Sequence, residues 1–195
     1  MQAYIALEKY LKNEEKDFGV GVPVSINEEI AKYESTRIKG LDSYNNWISI
    51  NIPDTAFFLD IEKSIKEQSN EVLNNLLKRE FILALFYHEG KKLISDFENR
   101  FVTESPTENK KEIINKYFDE FISEKNEFLL KFPSGKQLFN YVNSKCITHD
   151  KAKSSSLLYT YGIKGISYKD DIGDRLLMFN AQKDIEPLQF RNGQF

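Results

Sequence analysis

The chain has 195 residues, enough for one domain with a substantial core, or one domain carrying a sizeable insertion. Hydrophobic residues make up 41% and charged residues 29%, an ordinary globular balance, so the core is expected to rest on 15 Phe and 10 Tyr beside Ile and Leu. A net charge of −3 supplies no general pull toward nucleic acid or an anionic membrane, and neither is expected as a direct partner.

The single cysteine, Cys146, excludes an internal disulfide and suits a reducing cytosol. The amino terminus alternates charged and apolar residues, unlike a signal peptide. The longest apolar run, Phe81 to Tyr87, is too short to span a bilayer, so a cytoplasmic protein is expected.

In chain order, Tyr4, Leu7 and Leu11 predict a short amphipathic helix over 2–12. Phe18 to Val24 reads as a glycine-interrupted β-run, and Ser25 with Glu28 forms a capping-box pattern that starts a helix from Ile26 to about Arg37. Trp47 to Ile52 predicts a strand with Ile48, Ile50 and Ile52 on one face, ended by Pro53. Val72, Leu73, Leu76, Leu77 and Phe81 mark one long helix that stops at Gly90, followed by a short helix through Leu93, Ile94 and Phe97.

Ser105-Pro106-Thr107-Glu108 is a helix-start signal for a segment bearing Ile113, Ile114, Tyr117, Phe118, Phe121 and Ile122. The lysine- and glutamate-rich stretch 108–127 reads as a solvated helix face. Pro133-Ser134-Gly135 punctuates before a helix over Lys136 to Asn143, and a polar helix or turn covers Asp150 to Tyr159. Strands follow at Ile163–Tyr168 and Arg175–Asn180. The expected order is a β-poor start, a helical middle and a β-rich end, an α+β arrangement.

Several side-chain groupings have bland readings. Cys146 and His149 have metal-ligand spacing but lack two further ligands nearby, and His88 is distant in sequence. Asp170, Asp171 and Asp174 with Gly173 lack the ligand order of a calcium loop and read as a turn between strands. Gly19-Val20-Gly21 has neither the third glycine of a dinucleotide fingerprint nor the Lys-Ser/Thr of a P-loop. Trp47, Phe57 and Phe58 are aromatic candidates for a partner surface, with core packing the competing role. The Phe118–Ile122 helix pairing with 93–101 forms a helical hairpin, and an apolar groove beside it would suit a partner protein.

One further pattern has a specific counterpart. Tyr161-Gly162-Ile163-Lys164-Gly165-Ile166-Ser167-Tyr168, followed by Leu176-Leu177-Met178-Phe179-Asn180, resembles the end of the ADP-ribosyltransferase-like domains carried by phages and other mobile elements. Three more blocks resemble the same family in order. They are Phe18 to Ser25 with Glu28 to Tyr33, then Ile50-Asn51-Ile52-Pro53 with Leu59 to Ser69, then Ser134-Gly135-Lys136-Gln137-Leu138-Phe139. Residues from about 78 to 132 fall outside the match.

The resemblance implies a single ADP-ribosyltransferase-like domain over 1–195, with a split, mostly antiparallel sheet and a helical insertion at about 70–132. It also implies NAD as cofactor, handled by a first-strand histidine, two tyrosines and a late-strand glutamate or polar stand-in that steadies an oxocarbenium-like transition state. Carried over, Gly19, Gly21, Ser25 and Tyr33 are the cofactor-binding candidates. The first tyrosine position falls on Pro23. No histidine precedes His88, which leaves the first strand of the family without a counterpart. The late-strand position falls on Arg175, of the wrong charge, and a shift of one residue offers Asp174 as the catalytic candidate.

The expectation is therefore a phage or mobile-element host-takeover or anti-defence protein of anti-CRISPR-like kind. It would be a pseudoenzyme acting in the host bacterial cytoplasm by binding a host protein. The alternatives are an active NAD-dependent mono-ADP-ribosyltransferase modifying a host protein, and a structural accessory domain of a larger polyprotein.

Overall fold

The computed structural model describes residues 1–39, 46–101, 110–146 and 148–189. The fold is α+β around a mostly antiparallel sheet. Its strands are β1 (Gln2–Ala6), β2 (Glu14–Lys16), β3 (Gly19–Ser25), β4 (Trp47–Asn51), β5 (Phe58–Asp60), β6 (Gly165–Lys169), β7 (Asp174–Met178) and β8 (Glu186–Gln189). They lie in the order β5-β6-β7-β3-β1-β4-β8, with β2 pairing on β3, and β5-β6 is the parallel pair. The helices are α1 (Glu28–Lys39), α2 (Asn70–Leu76), α3 (Arg79–Leu85), α4 (Tyr87–Phe101), α5 (Lys110–Leu129), α6 (Gly135–Lys145), α7 (Lys151–Thr160) and α8 (Ala181–Asp184).

The segment expected as a helix over 2–12 is instead β1, a central strand paired to β3 and β4 and then a 3-10 turn at Leu7–Lys9. Ala3 and Ile5 alternate into the core, whereas Leu7 and Leu11, which carried the helical pattern, are exposed. The small side chain of Ala3 hides the period of two. The start of the chain is thus β-rich, and β1 stands where no first strand was expected.

The middle corrects the sequence reading in a second way. The single helix expected from Val72 to Gly90 is three, with breaks at Leu77–Lys78 and Phe86. Neither break holds glycine or proline. Gly90 lies inside α4, and a methyl group placed there would meet open space, so it neither stops nor kinks the helix. The separate short helix over Leu93–Phe97 belongs to this same α4. The start signal at Ser105–Glu108 lies outside the described residues.

Elsewhere several local signals agree with the structure, although β2, β5 and β8 were not expected. The strand from Trp47 buries Ile48, Ile50 and Ile52 on one face. Ser134 caps α6 by accepting from the Gln137 N–H, and Asp150 caps α7 by accepting from Ala152 and Lys153. At α1 the cap differs from expectation. Ser25 Oγ accepts from Asn27 N at 3.1 Å, and Asn27 Oδ1 accepts from Glu29 N at 2.9 Å, so the helix starts two residues late.

Alternation along the strands divides the core. Ile5, Val22, Val24, Ile48, Ile50, Leu176 and Met178 share one face with Ala181 and Ile185. On the opposite face Leu59, Ile166, Tyr168 and Leu177 pack beneath α2, α3, α5, α6 and α7, against Leu76, Phe81, Phe121, Leu138 and Leu158. The helical segment 70–129 therefore shares its core with the sheet. Helix α1 rests beside β1, β3 and β4, burying Ile30, Ala31, Glu34 and Ser35 along one stripe.

Candidate functional site

A groove of about 320 Å3 opens where β3, β5 and β6 end and β7 begins. Its walls are built locally. Buried Gln68 accepts from Asp60 N at 2.9 Å and donates to Asp60 O at 2.8 Å, holding the end of β5. Asp170 Oδ1 accepts from Ile172 N at 3.0 Å and Gly173 N at 3.2 Å, tightening the β6–β7 turn. The lining includes Asp60, Glu62, Tyr168, Lys169, Asp174 and Arg175.

Arg175 is 2% exposed and makes a forked pair with Glu34 of α1, through Nη1–Oε1 at 2.9 Å and Nη2–Oε2 at 3.0 Å. Asp170 Oδ2 stands 3.7 Å from the same guanidinium. Glu34 also takes Lys9 at 3.0 Å, and Lys9 takes Glu14 at 3.0 Å, so charges run from β7 through α1 to β2. Burial alone would lower the pKa of Arg175, but the Glu34 carboxylate outweighs it and holds the pKa above its ordinary value. Lys9 is raised in the same way, its burial outweighed by Glu34 and Glu14. Burial pushes the neighbouring Tyr168 hydroxyl up to about 12, so it stays protonated across the physiological range.

The residues singled out from the sequence do not converge. Ser25 and Arg175 pair across β3 and β7 at the groove, and exposed Asp174 lines it. Ser25 Oγ is committed to the Asn27 amide. Tyr33, 51% exposed, lies one residue before Glu34 on α1. Gly19 and Gly21 occupy the far end of β3, roughly 13–20 Å along the strand from Ser25. Packing explains both. A Cβ on Gly21 would sit 2.3 Å from the Met178 carbonyl, and Gly19 has a φ of +147° with Phe179 and Ser155 against it. Pro23 faces Leu177 across the ladder.

A second, larger cleft of about 500 Å3 lies between the α3–α4 elbow and the α6–α7 junction. It brings His88 and Cys146 to one lining, together with Leu85, Phe86, Tyr87 and Lys153. Sequence reading missed it because the elbow at Phe86 carries no breaker. The uninterrupted apolar run from Phe81 to Tyr87 was the available signal, since such a run cannot face one side only.

Cys146 Sγ accepts from Ser154 Oγ at 3.4 Å, while His149 is exposed. Among the described residues no group of three His, Cys, Asp or Glu could hold a metal ion. Trp47 stacks edge-on with Tyr4 at 5.6 Å beneath Lys32, and Phe58 is core, with Phe57 half-buried. No helix among the described residues is long and apolar enough to cross a membrane. No protein-family profile, curated protein or solved structure significantly matches the chain.

Proposed function

We propose that the protein is a phage or mobile-element host-takeover or anti-defence factor on an ADP-ribosyltransferase-like, split-sheet scaffold, and that it works by binding a host protein. Support for the scaffold is the ordered set of sequence blocks resembling that family. The observation that carries the binding reading is the Arg175–Glu34 pair. Where the resemblance calls for a carboxylate or amide open to substrate, there is a buried arginine whose two terminal nitrogens are already paired with Glu34.

The groove residues do not fit NAD. Pro23 offers no ring to clamp a nicotinamide, β1 carries no histidine, and a guanidinium repels the positive charge that develops as the glycosidic bond breaks. The groove instead exposes Glu62 and Asp174 against a single Lys169, with Asp60 turned toward Lys63 at 3.3 Å. That excess of acid suits a lysine- or arginine-bearing segment of a host protein.

The test is calorimetric titration with NAD, paired with pull-down from host bacterial lysate. No heat at millimolar NAD, together with a stoichiometric partner lost on Glu62→Lys plus Asp174→Lys, is expected. Micromolar NAD binding that Tyr33→Ala abolishes would overturn the reading. It would favour the active mono-ADP-ribosyltransferase, for which Asp174 in the groove is the candidate.

A further inference from the structure

The α3–α4 cleft has the size, lining and charge of a ligand site, and it is distinct from the groove at the strand ends. Its volume of about 500 Å3 falls within the range that takes a molecule of drug or metabolite size. Ala84, Leu85 and Leu157 give it apolar surface, and Phe86, Tyr87 and His88 give it aromatic surface.

Two of the cleft's own lining residues, Glu89 and Lys145, help to brace it. Glu89 bridges Lys125 at 2.8 Å and Lys145 at 2.9 Å, tying α4 to α5 and α6. Phe86, 3% exposed, lies beneath both ammonium groups at 5.2 and 5.6 Å. A shift of α4 that closed the space would have to break both bridges.

The charges at the lining are unequal in availability. Lys145 is neutralised by Glu89. Lys153 is not. Among the described residues its ammonium meets only the Thr148 hydroxyl, at 3.2 Å. An apolar, partly aromatic cleft with one cation lacking a carboxylate partner selects for an apolar body carrying one negative group.

We propose that this cleft binds an amphipathic monoanion, an apolar or aromatic body with one carboxylate, sulfonate or phosphodiester head set against Lys153. The site does not rest on the binding reading given above for the groove. A ligand there would bear on the elbow joining α3 to α4, and so on the helical face of the molecule.

Cys146 makes the site readable, because it lines the cleft and is the only cysteine in the chain. The probe is anilinonaphthalenesulfonate, with the uncharged N-phenylnaphthylamine as its control. Titration of the folded protein is expected to saturate at one sulfonate per chain and to slow iodoacetamide alkylation of Cys146 severalfold, read by intact mass.

Lys153→Gln is expected to weaken the sulfonate about tenfold, the scale of one charge-assisted hydrogen bond, and to leave the neutral analogue unchanged. Lys153 is exposed, so this variant does not threaten the fold. Leu157→Trp, which fills the cleft, is expected to abolish both. Failure of the sulfonate to saturate below millimolar overturns the proposal. Saturation that leaves Cys146 unprotected, or equal loss of both probes in Lys153→Gln, also overturns it.

Discussion

Arg175 and Glu34 are 141 residues apart in the chain and 2.9 Å apart in space. Removing one partner of a buried pair leaves the other charge desolvated and unpaired, which costs more than the pair contributes. Arg175→Met is therefore expected to lower the unfolding free energy by about 3 kcal/mol, Lys9 sparing Glu34 part of the penalty. The double variant Arg175→Met with Glu34→Gln is expected to recover at least half of that loss. Urea denaturation of wild type, both singles and the double completes the cycle. Strict additivity would mean the two side chains act independently.

Besides burying Phe97, helix α4 is clasped to two neighbours through one charged side chain. Glu89 reaches Lys125 on α5 and Lys145 on α6. Burial would raise its pKa, but hydrogen bonds from the two ammonium groups outweigh it and hold the carboxyl below its ordinary value. A depressed folded-state pKa means the stabilisation is complete above the unfolded value of about 4.3 and is lost as pH falls through the folded one. The side chain is 40% exposed and solvent-screened, so the gain is on the order of 1 kcal/mol at most. Glu89→Gln is expected to be less stable than wild type at neutral pH, with the gap closing below about pH 4. Thermal unfolding across pH measures it, and a gap that widens in acid would refute the clasp.

At the scale of the molecule, the helices between β5 and α6 share one apolar cluster with the sheet, from Val72, Phe81 and Phe121 to Leu59, Ile166 and Leu177. A segment that buries its apolar face in the common core cannot melt first without exposing that core. Trp47, the only tryptophan, reports from β4, near the edge of the sheet away from β5 and β6. Its fluorescence and the far-ultraviolet helical signal are expected to change at the same urea concentration. Loss of the helical signal ahead of Trp47 would show that 70–129 is an autonomous attachment.

Features carried by neighbours a few residues apart are legible in the linear chain. Ile48, Ile50 and Ile52 alternate onto one face, Ser134 and Asp150 cap their helices, and the turn at Asp170–Gly173 joins β6 to β7. These depend on backbone geometry and on hydrogen bonds of short span, which a linear reading sees. The tertiary structure alone decided that residues 2–6 form a central strand, because β3 and β4 supply the ladder that overrides a weak helical period. It also decided that the helix run breaks at Leu77–Lys78 and at Phe86, where packing against the sheet redirects a chain free of glycine and proline. The partner of Arg175 and the meeting of His88 with Cys146 at one cleft were likewise invisible in the sequence. Such contacts join residues far apart in the chain, and their energy exists only once the core has brought them together.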